Sequence, residues 1–327
     1  MHIAVTGAAG RVGRAVTAQL VQRGHRVTGI DRAEPAAPVR GVRYVTAAFS
    51  ELEPGDERLV GIDAVAHLGA MMSWQDADAA AMFEANVVGT FRLIEAAAPH
   101  GVRRLVLAST GEVYPENAPA YLPLDEAHPR HAATHYGMTK VLSEDLADFA
   151  GRKYGMAVTT LRFAHTQDPA ELLDPDSFFS GPRFFLHRRL EKERAAQNTD
   201  VVRQLEAWDG GEALIAPRRA DGRPVRMGIL ATEDLAHGVV LALEADASVD
   251  GVFGLGPDES TDLAEFARAL GEAAGLPVVD VTVPNTAADY WTLNARAREL
   301  LGFRQRIDTA AMIAQAVEAR KRRHDDA

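Results

Sequence analysis

Short apolar runs and helix-length segments take turns along the first half of this chain, and that rhythm leaves few architectures open. The runs are HIAVTG (2–7), RVTGID (26–31), RYVTAA (43–48), AVAHLG (64–69), RLVLAS (104–109) and AVTTLRF (157–163), and the helix-like segments between them cover about 11–25, 75–98 and 134–153. Strands separated by helices pair in parallel, because each helix carries the chain back across the sheet. The expected fold is α/β, a Rossmann-type doubly wound parallel sheet.

After Arg162 the rhythm breaks. DPAELLDPDSFFSGP (168–182) is a proline-punctuated loop, 183–207 a charged helical stretch, and 211–230 two strands around an Asp-Gly turn. We therefore expect a first domain over residues 1–165, to which segments about 228–257 return, and a smaller C-terminal α/β lobe made mainly of 166–227 and 258–327. With 327 residues, 47% of them hydrophobic, the chain can bury a sizeable core. A net charge of −11 argues against polyanionic partners, so neither nucleic acid nor a membrane is expected and small molecules become the default ligands. Zero cysteines exclude disulfides, thiolate zinc sites and a cysteine nucleophile, and no metal site is expected. The opening MHIAVTG has neither a basic leader nor a long apolar stretch, which leads to the expectation of a cytoplasmic location.

Between the first strand and the first helix stands TGAAGRVG (6–13). Gly7, Gly10 and Gly13 permit a tight turn, remove side chains that would block a pyrophosphate, and let helix and strand approach, while the helix N-terminus adds amides and a partial positive charge. With Ala9, Arg11 and Val12 they make a candidate dinucleotide loop of spacing GxxGxxG. The next strand ends in Asp31, where a carboxylate can accept hydrogen bonds from a ribose and repel a 2′-phosphate. NAD is the expected cofactor; Arg32, next in sequence, is the group that would attract NADP instead.

A polar strand end, ASTGEVYP (108–115), is followed 26 residues after Thr110 by Tyr136, in HYGMTK, with Lys140 four residues further on. That spacing puts both side chains on one helix face, where the ammonium can lower the phenol's pKa from about 10. Such a phenol exchanges a proton with a substrate hydroxyl while a nicotinamide takes or gives the hydride. Thr110, at the carboxyl end of a strand where open α/β sheets place ligands, can hydrogen-bond the same oxygen.

Taken together, TGAAGRVG, Asp31, HLGA (67–70), NVVGTFRLIEAA (86–97), STGEVY (109–114), YGMTK (136–140), LRF (161–163), TEDLAHGVVLALE (232–244), FGLGPDES (253–260) and NARARELLGF (294–303) resemble the extended short-chain dehydrogenase/reductases of the NAD-dependent epimerase/dehydratase type. The resemblance implies a catalytic triad of Thr110, Tyr136 and Lys140, a tightly held nicotinamide cofactor and a carboxy-terminal substrate-binding lobe. It implies a homodimer through a four-helix bundle of the helices around 80–98 and 136–153. It also implies cofactor contacts at Ala48, Phe49, Leu68, Gly69, Ala70, Ala108 and Phe163, and at Asn86, the asparagine that braces the active-site strands.

The departures from the family pattern narrow the substrate. Ala48 stands where members often carry an acid for the adenine amino group, leaving backbone contacts near Phe49. Dehydratases of this type show Asp-Glu after the catalytic threonine; Gly111 and Glu112 stand here, which argues against elimination and leaves Glu112 either a second acid or base or a solvated turn residue. His165 replaces an asparagine, and the arginine that contacts a diphosphate is represented only by Arg226, one residue out of register. Met72, Ser73, Thr110, Gly111, His165 and Arg226 are the candidate substrate contacts. The cluster Arg183, His187, Arg188, Arg189, Lys192 and Arg194 faces either an anion or solvent. His67 reads as a packed imidazole, and Met71 and Trp74 as packing or pocket lining.

The function expected is an NAD-dependent oxidoreductase acting on a secondary hydroxyl of a sugar, sugar acid or polyol, with Tyr136 as acid/base. Its alternatives are a nucleotide-sugar epimerase with retained NAD, like UDP-glucose 4-epimerase, and a non-catalytic dinucleotide-binding regulator.

Overall fold

The computed structural model describes residues 1–115, 119–285 and 290–325. The chain forms two compact units. Unit 1 takes Met1–Ala164, Thr232–Gly256 and Thr292–Arg304; unit 2 takes His165–Ala231, Pro257–Trp291 and the chain from Gln305 onward. Unit 1 opens with β1 (His2–Thr6), α1 (Arg11–Gln22), β2 (Arg26–Asp31), β3 (Val42–Thr46) and β4 (Ala64–His67). It continues with α2 (Ala79–Phe83), α3 (Gly89–Ala97), β5 (Arg104–Thr110), α4 (His135–Tyr154) and β6 (Ala157–Phe163). Unit 2 follows with β7 (His165–Gln167), α5 (Gly181–Phe184), α6 (Leu186–Ala195), α7 (Thr199–Glu206), β8 (Leu214–Arg219), β9 (Arg226–Met227) and β10 (Ile229–Ala231). The chain returns to unit 1 for α8 (Thr232–Glu244) and β11 (Gly251–Leu255), and crosses to unit 2 for β12 (Thr261–Asp262), α9 (Leu263–Ala274) and β13 (Val278–Val283). It re-enters unit 1 for α10 (Ala295–Leu300) and unit 2 for α11 (Thr309–Asp325).

The unit 1 sheet has seven parallel strands in the order β11-β6-β5-β4-β1-β2-β3. This is the doubly wound sheet expected from the alternation. Strand order reverses between β1 and β4, the switch point outside which such sheets hold ligands. The apolar runs overshoot the strands where Ala47–Ala48 and Leu68–Gly69 turn out of the sheet. Ile3, Val5, Val65, Leu105, Leu107, Leu161 and Phe253 are buried, as strands covered on both faces require.

The helix expected over 75–98 is interrupted. A π-turn, Glu84–Val88, separates α2 from α3, and hydrophobic periodicity carries no signal for one inserted residue. The carbonyl of Asn86, inside this turn, accepts the hydroxyls of Thr90 (2.5 Å) and Ser143 (2.9 Å).

Two long-range attachments complete unit 1. Arg104, buried at the start of β5, donates to the carbonyls of Ala242, Ala245, Asp246 and Val249, satisfying the end of α8 and the approach to β11. Residues 292–304, which sequence patterning placed with the C-terminal lobe, lie in unit 1 because Gly254 and Gly256 have no side chain to keep them away. There Leu293 N donates to Leu124 O (2.8 Å), Asn294 Nδ2 to Gly256 O (3.1 Å), and the Arg296 guanidinium lies 4.8 Å from the Phe253 ring centre.

In unit 2, β8 pairs in parallel with β13, β9 in antiparallel with β12, and β10 in parallel with β7. The Asp221-Gly222 turn forms, with Gly222 at φ +82°, but among the described residues its arms meet only at the Arg218–Pro224 bridge. No helix among the described residues is long and apolar enough to cross a membrane.

Candidate active site

β1 runs into the glycine loop at the switch point. Gly7 has φ +69°, and a Cβ on it would lie 2.7 Å from Gly69 Cα. At Gly13, in the first turn of α1, a methyl group would stand 2.8 Å from both Ala8 Cα and the Gly7 carbonyl carbon. Gly10 is the N-cap; its amide donates to Gly7 O (3.0 Å). Ala9, Arg11 and Val12 are half-buried along the same turn. This is a backbone cradle at a helix N-terminus, and it fits a pyrophosphate. Asp31, at the end of β2, accepts from Ala9 N (2.9 Å) through Oδ2 and from Ala33 N (3.1 Å) through Oδ1. Each oxygen keeps a second lone pair for a hydroxyl. Arg32 is exposed and makes no side-chain hydrogen bond to a described residue.

The chain leaving β4 passes beside this loop. Gly69 N donates to Thr6 Oγ1 (3.1 Å), and Leu68 and Ala70 flank it. The Phe49 ring, after Ala48, occupies the room that Cβ atoms on Gly69 and Gly89 would need, and meets His67 edge-on at 4.9 Å. His67 is buried between Thr6 Oγ1 (2.7 Å, Nδ1) and Thr90 Oγ1 (2.9 Å, Nε2). Thr90 uses its proton on Asn86 O, so the imidazole donates through Nε2 and accepts at Nδ1. Burial, and then the charge of Lys140, push its pKa down to about 3, so it is the packed neutral imidazole expected.

Asn86 accepts from Met71 N (2.8 Å) and donates to Met71 O (2.8 Å) and Thr139 Oγ1 (2.9 Å), bridging the turn after β4 to α4. Met71, Met72 and Ser73 are half-buried and Trp74 is exposed; Ser73 donates its hydroxyl to Asp78 Oδ2 (2.6 Å).

Thr110, Glu112, Tyr136 and Lys140 come together where β5 meets α4. Thr110 Oγ1 accepts from Glu112 N (3.2 Å), and Glu112 Oε2 accepts from Thr134 Oγ1 (2.7 Å), itself the N-cap of α4 bound to Gly137 N (2.9 Å). A Cβ on Gly137 would lie 3.0 Å from the Glu112 carbonyl carbon, so glycine lets the Gly111–Val113 turn touch the helix. Tyr136 is half-buried and Lys140 buried one turn later. Neither the phenol nor the ammonium has a hydrogen-bond partner among the described residues. Ala108 is buried two residues before Thr110, and Phe163 is the cross-strand partner of Thr110.

The electrostatics correct one expectation. Burial pushes the Tyr136 phenol up, and the charge of Glu112 pushes it further, instead of Lys140 drawing it down. Burial also lowers Lys140 to about 8, with Glu144 opposing. Helical spacing puts the pair on one face; it says nothing of how dry that face is, and here desolvation dominates both groups.

Behind this set lies a cluster absent from the sequence expectations. The buried carboxylate of Glu144, one turn beyond Lys140, accepts from Ser109 Oγ (2.5 Å), Arg162 Nε (2.9 Å) and Nη2 (2.8 Å), and Arg130 Nη1 (3.2 Å). Arg162 Nη1 also donates to Tyr114 Oη (2.8 Å) and Glu126 O (3.2 Å). Burial opposes the Arg162 charge, but Glu144 outweighs it and holds the pKa above the usual arginine value. The available signal was an arginine inside the apolar strand 157–163, which needs a buried partner.

The remaining predicted contacts stand in unit 2. His165, on β7, has its Nε2 2.7 Å from Arg183 Nη1 and its ring 5.5 Å from that of Phe179. Arg226, on β9, is exposed and donates to Ser260 Oγ (3.3 Å). Four of the basic residues at 183–194 pair with carboxylates: Arg188 with Asp176 and Glu191, Arg189 with Glu193, Arg194 with Glu206, and His187 with Glu212.

Known proteins resemble this chain in sequence and in fold. The sequence profile of the NAD dependent epimerase/dehydratase family matches residues 3–256. The crystal structure of a short-chain dehydrogenase/reductase superfamily protein from Agrobacterium tumefaciens with bound NAD superposes with a TM-score of 0.92 at 42% identity, covering 100% of this chain and 99% of that one. A UDP-glucose 4-epimerase of Corynebacterium glutamicum is 27% identical over 93% of this chain and 90% of its own. A uronate dehydrogenase of Pseudomonas syringae pv. tomato is 31% identical over 49% of this chain and 58% of its own.

Proposed function

Because the chain belongs to the NAD dependent epimerase/dehydratase family, we propose that this NAD-dependent short-chain dehydrogenase/reductase oxidises a secondary hydroxyl of a free sugar, sugar acid or polyol. One observation carries the reading: Tyr136 and Lys140 stand one helical turn apart beside Thr110, with phenol and ammonium both lacking partners among the described residues. The cofactor is NAD, held by the Gly7–Gly13 cradle and by the Asp31 carboxylate at its ribose. When bound, it supplies the acceptor for the hydride leaving the alcohol carbon. Thr110 aligns the substrate oxygen and Tyr136 takes its proton. Because burial and Glu112 disfavour the phenolate, that step depends on Lys140 being present as an ammonium to stabilise it.

Gly111 in place of an aspartate argues against dehydration, and among the described residues no diphosphate anchor is identified beyond the exposed Arg226. A panel of free sugars, sugar acids and polyols, run beside UDP- and dTDP-sugars with absorbance at 340 nm and product analysis, tests the reading. We expect NADH from the compact substrates, lost in Tyr136→Phe with NAD affinity held within a few-fold. The second reading, a nucleotide-sugar epimerase, is favoured by the near full-length similarity to UDP-glucose 4-epimerase. Turnover confined to a nucleotide sugar without net NADH would establish it. Unchanged turnover in Tyr136→Phe would refute the proton path in either reading. The assembly proposed is a homodimer through the helices of residues 79–97 and 135–154, which expose Phe83, Phe91, Met138, Phe149 and Tyr154.

A further inference from the structure

Glu144, which was not singled out from the sequence, gathers donors from β5, from β6 and from Arg130 onto one buried carboxylate. Ser109 and Arg162 are cross-strand partners on β5 and β6, and both donate to its carboxylate from the strand side. Glu144 follows Lys140 at i+4 and Tyr136 at i+8, so the three stand on successive turns of one face of α4. Thr110 is the residue after Ser109. The carboxylate therefore ties the strand end that carries one reacting group to the helix that carries the other two. The other titratable groups around Lys140 are committed elsewhere. His67 is a neutral imidazole, Glu112 is bound to Thr134, and Arg162 and Arg130 both point their donors at Glu144. On neighbouring elements, Glu95 binds Tyr154 at the far end of the helix, Arg92 lies 3.8 Å from Glu53, and Arg104 caps α8.

We propose that Glu144 is the positioning residue of the proton-transfer set: by gripping Ser109 and Arg162 it fixes Thr110 against Tyr136, and it supplies the negative charge facing the Lys140 ammonium. The turnover half of this proposal rests on the oxidoreductase reading; the charge half does not.

The test separates the two. The chain has four lysines, Lys140, Lys153, Lys192 and Lys321, so the intact protein grown on [13Cε]lysine gives a spectrum in which Lys140 is assigned by its loss in Lys140→Arg. Its titration is read with no substrate present, and a midpoint near 8 is expected for the wild type. In Glu144→Gln the midpoint should fall by about one pH unit, as removal of an opposite charge one helical turn away requires. In Ser109→Ala, which leaves every charge in place, the midpoint should stay put. Its kcat for sugar oxidation should nevertheless drop about tenfold, with KM for NAD unchanged, because the reacting groups are misaligned and not lost. Glu144→Asp keeps the charge but shortens the reach; it should keep the midpoint near that of the wild type and still lose kcat. If Glu144→Gln alone does not fold, Glu144→Gln/Arg162→Met, which leaves no unpaired buried guanidinium at 162, takes its place, and its midpoint should lie about one pH unit below that of Arg162→Met, which has lost the same cation and kept the carboxylate. An unmoved midpoint on loss of the carboxylate, or wild-type kcat in Ser109→Ala, overturns the proposal. Failure of every compound in the panel would strike the oxidoreductase reading alone, because the midpoints are measured without one.

Discussion

Gly13 and Gly10 flank the same loop, yet the structure predicts unequal effects of an added methyl group on stability. In Gly13→Ala the new Cβ would stand 2.8 Å from two backbone carbons, Ala8 Cα and the Gly7 carbonyl carbon, and closer still to the Gly7 oxygen. Non-bonded carbons rest about 3.5–4.0 Å apart. Neither neighbour is a side chain that can swing aside, so β1 or α1 must move. Forced overpacking of this kind costs about 1–3 kcal/mol. In Gly10→Ala the methyl group meets only the Gly7 oxygen, at 3.2 Å, and the residue is exposed. Its stability should stay within about 0.5 kcal/mol of the wild type. NAD binding should suffer in both, by tenfold or more, which is about 1.4 kcal/mol. The helix is displaced in the first variant, and the methyl group stands where the pyrophosphate approaches in the second. Urea unfolding of the ligand-free proteins gives the stabilities, and isothermal titration with NAD gives the affinities. Equal stability losses in the two variants, or a Gly13→Ala as stable as the wild type, would refute the argument from backbone contact.

Asp31→Ala should narrow the preference for NAD over NADP and, because Ala9 N loses its acceptor, cost about 1 kcal/mol of ligand-free stability; a wild type that prefers NADP would transfer the role to Arg32. His67 has a folded pKa near 3 against about 6.5 unfolded, so between those values the unfolded chain binds the extra proton. Stability should fall as pH drops below about 6.5, by up to ~1.4 kcal/mol per pH unit from this group, and His67→Gln should flatten that slope in urea titrations at pH 4–6.5. Sedimentation should find twice the 35.2 kDa chain mass, and Phe91→Glu/Phe149→Glu should give monomers; a monomeric wild type removes the helical interface.

The sheet was legible because its strands are covered on both faces and so read as continuous apolar runs, displaced by no more than a residue or two at their ends. The glycine loop and the Tyr136–Lys140 pair were legible because each is a local pattern whose geometry follows from one turn or one helix. Four things were not. The π-turn at Glu84–Val88 adds one residue to a helix without disturbing its apolar stripe. The sign of the Tyr136 shift depends on burial, which spacing does not report. Glu144 looks in sequence like any helix-surface glutamate, and its burial is set by Ser109 and Arg162, 35 and 18 residues away. The return of residues 292–304 to unit 1 is hidden for the same reason: it hangs on Gly254 and Gly256, whose role is to leave room for another segment's backbone.

The order in which the unit 1 strands are made differs from the order in which the sheet is complete. β11, made of residues 251–255, lies beyond β6 at the end of the sheet, and residues 165–231 must be synthesised before it exists. Until then β6 is an unpaired edge on a growing chain, and Arg104 is a guanidinium whose carbonyl partners at 242–249 have not been translated. An open parallel edge of apolar residues invites pairing with other chains. A ribosome stalled near residue 230 would therefore present a nascent chain at its most aggregation-prone, and a truncated gene ending at Ala164 should yield inclusion bodies where the full chain yields folded protein.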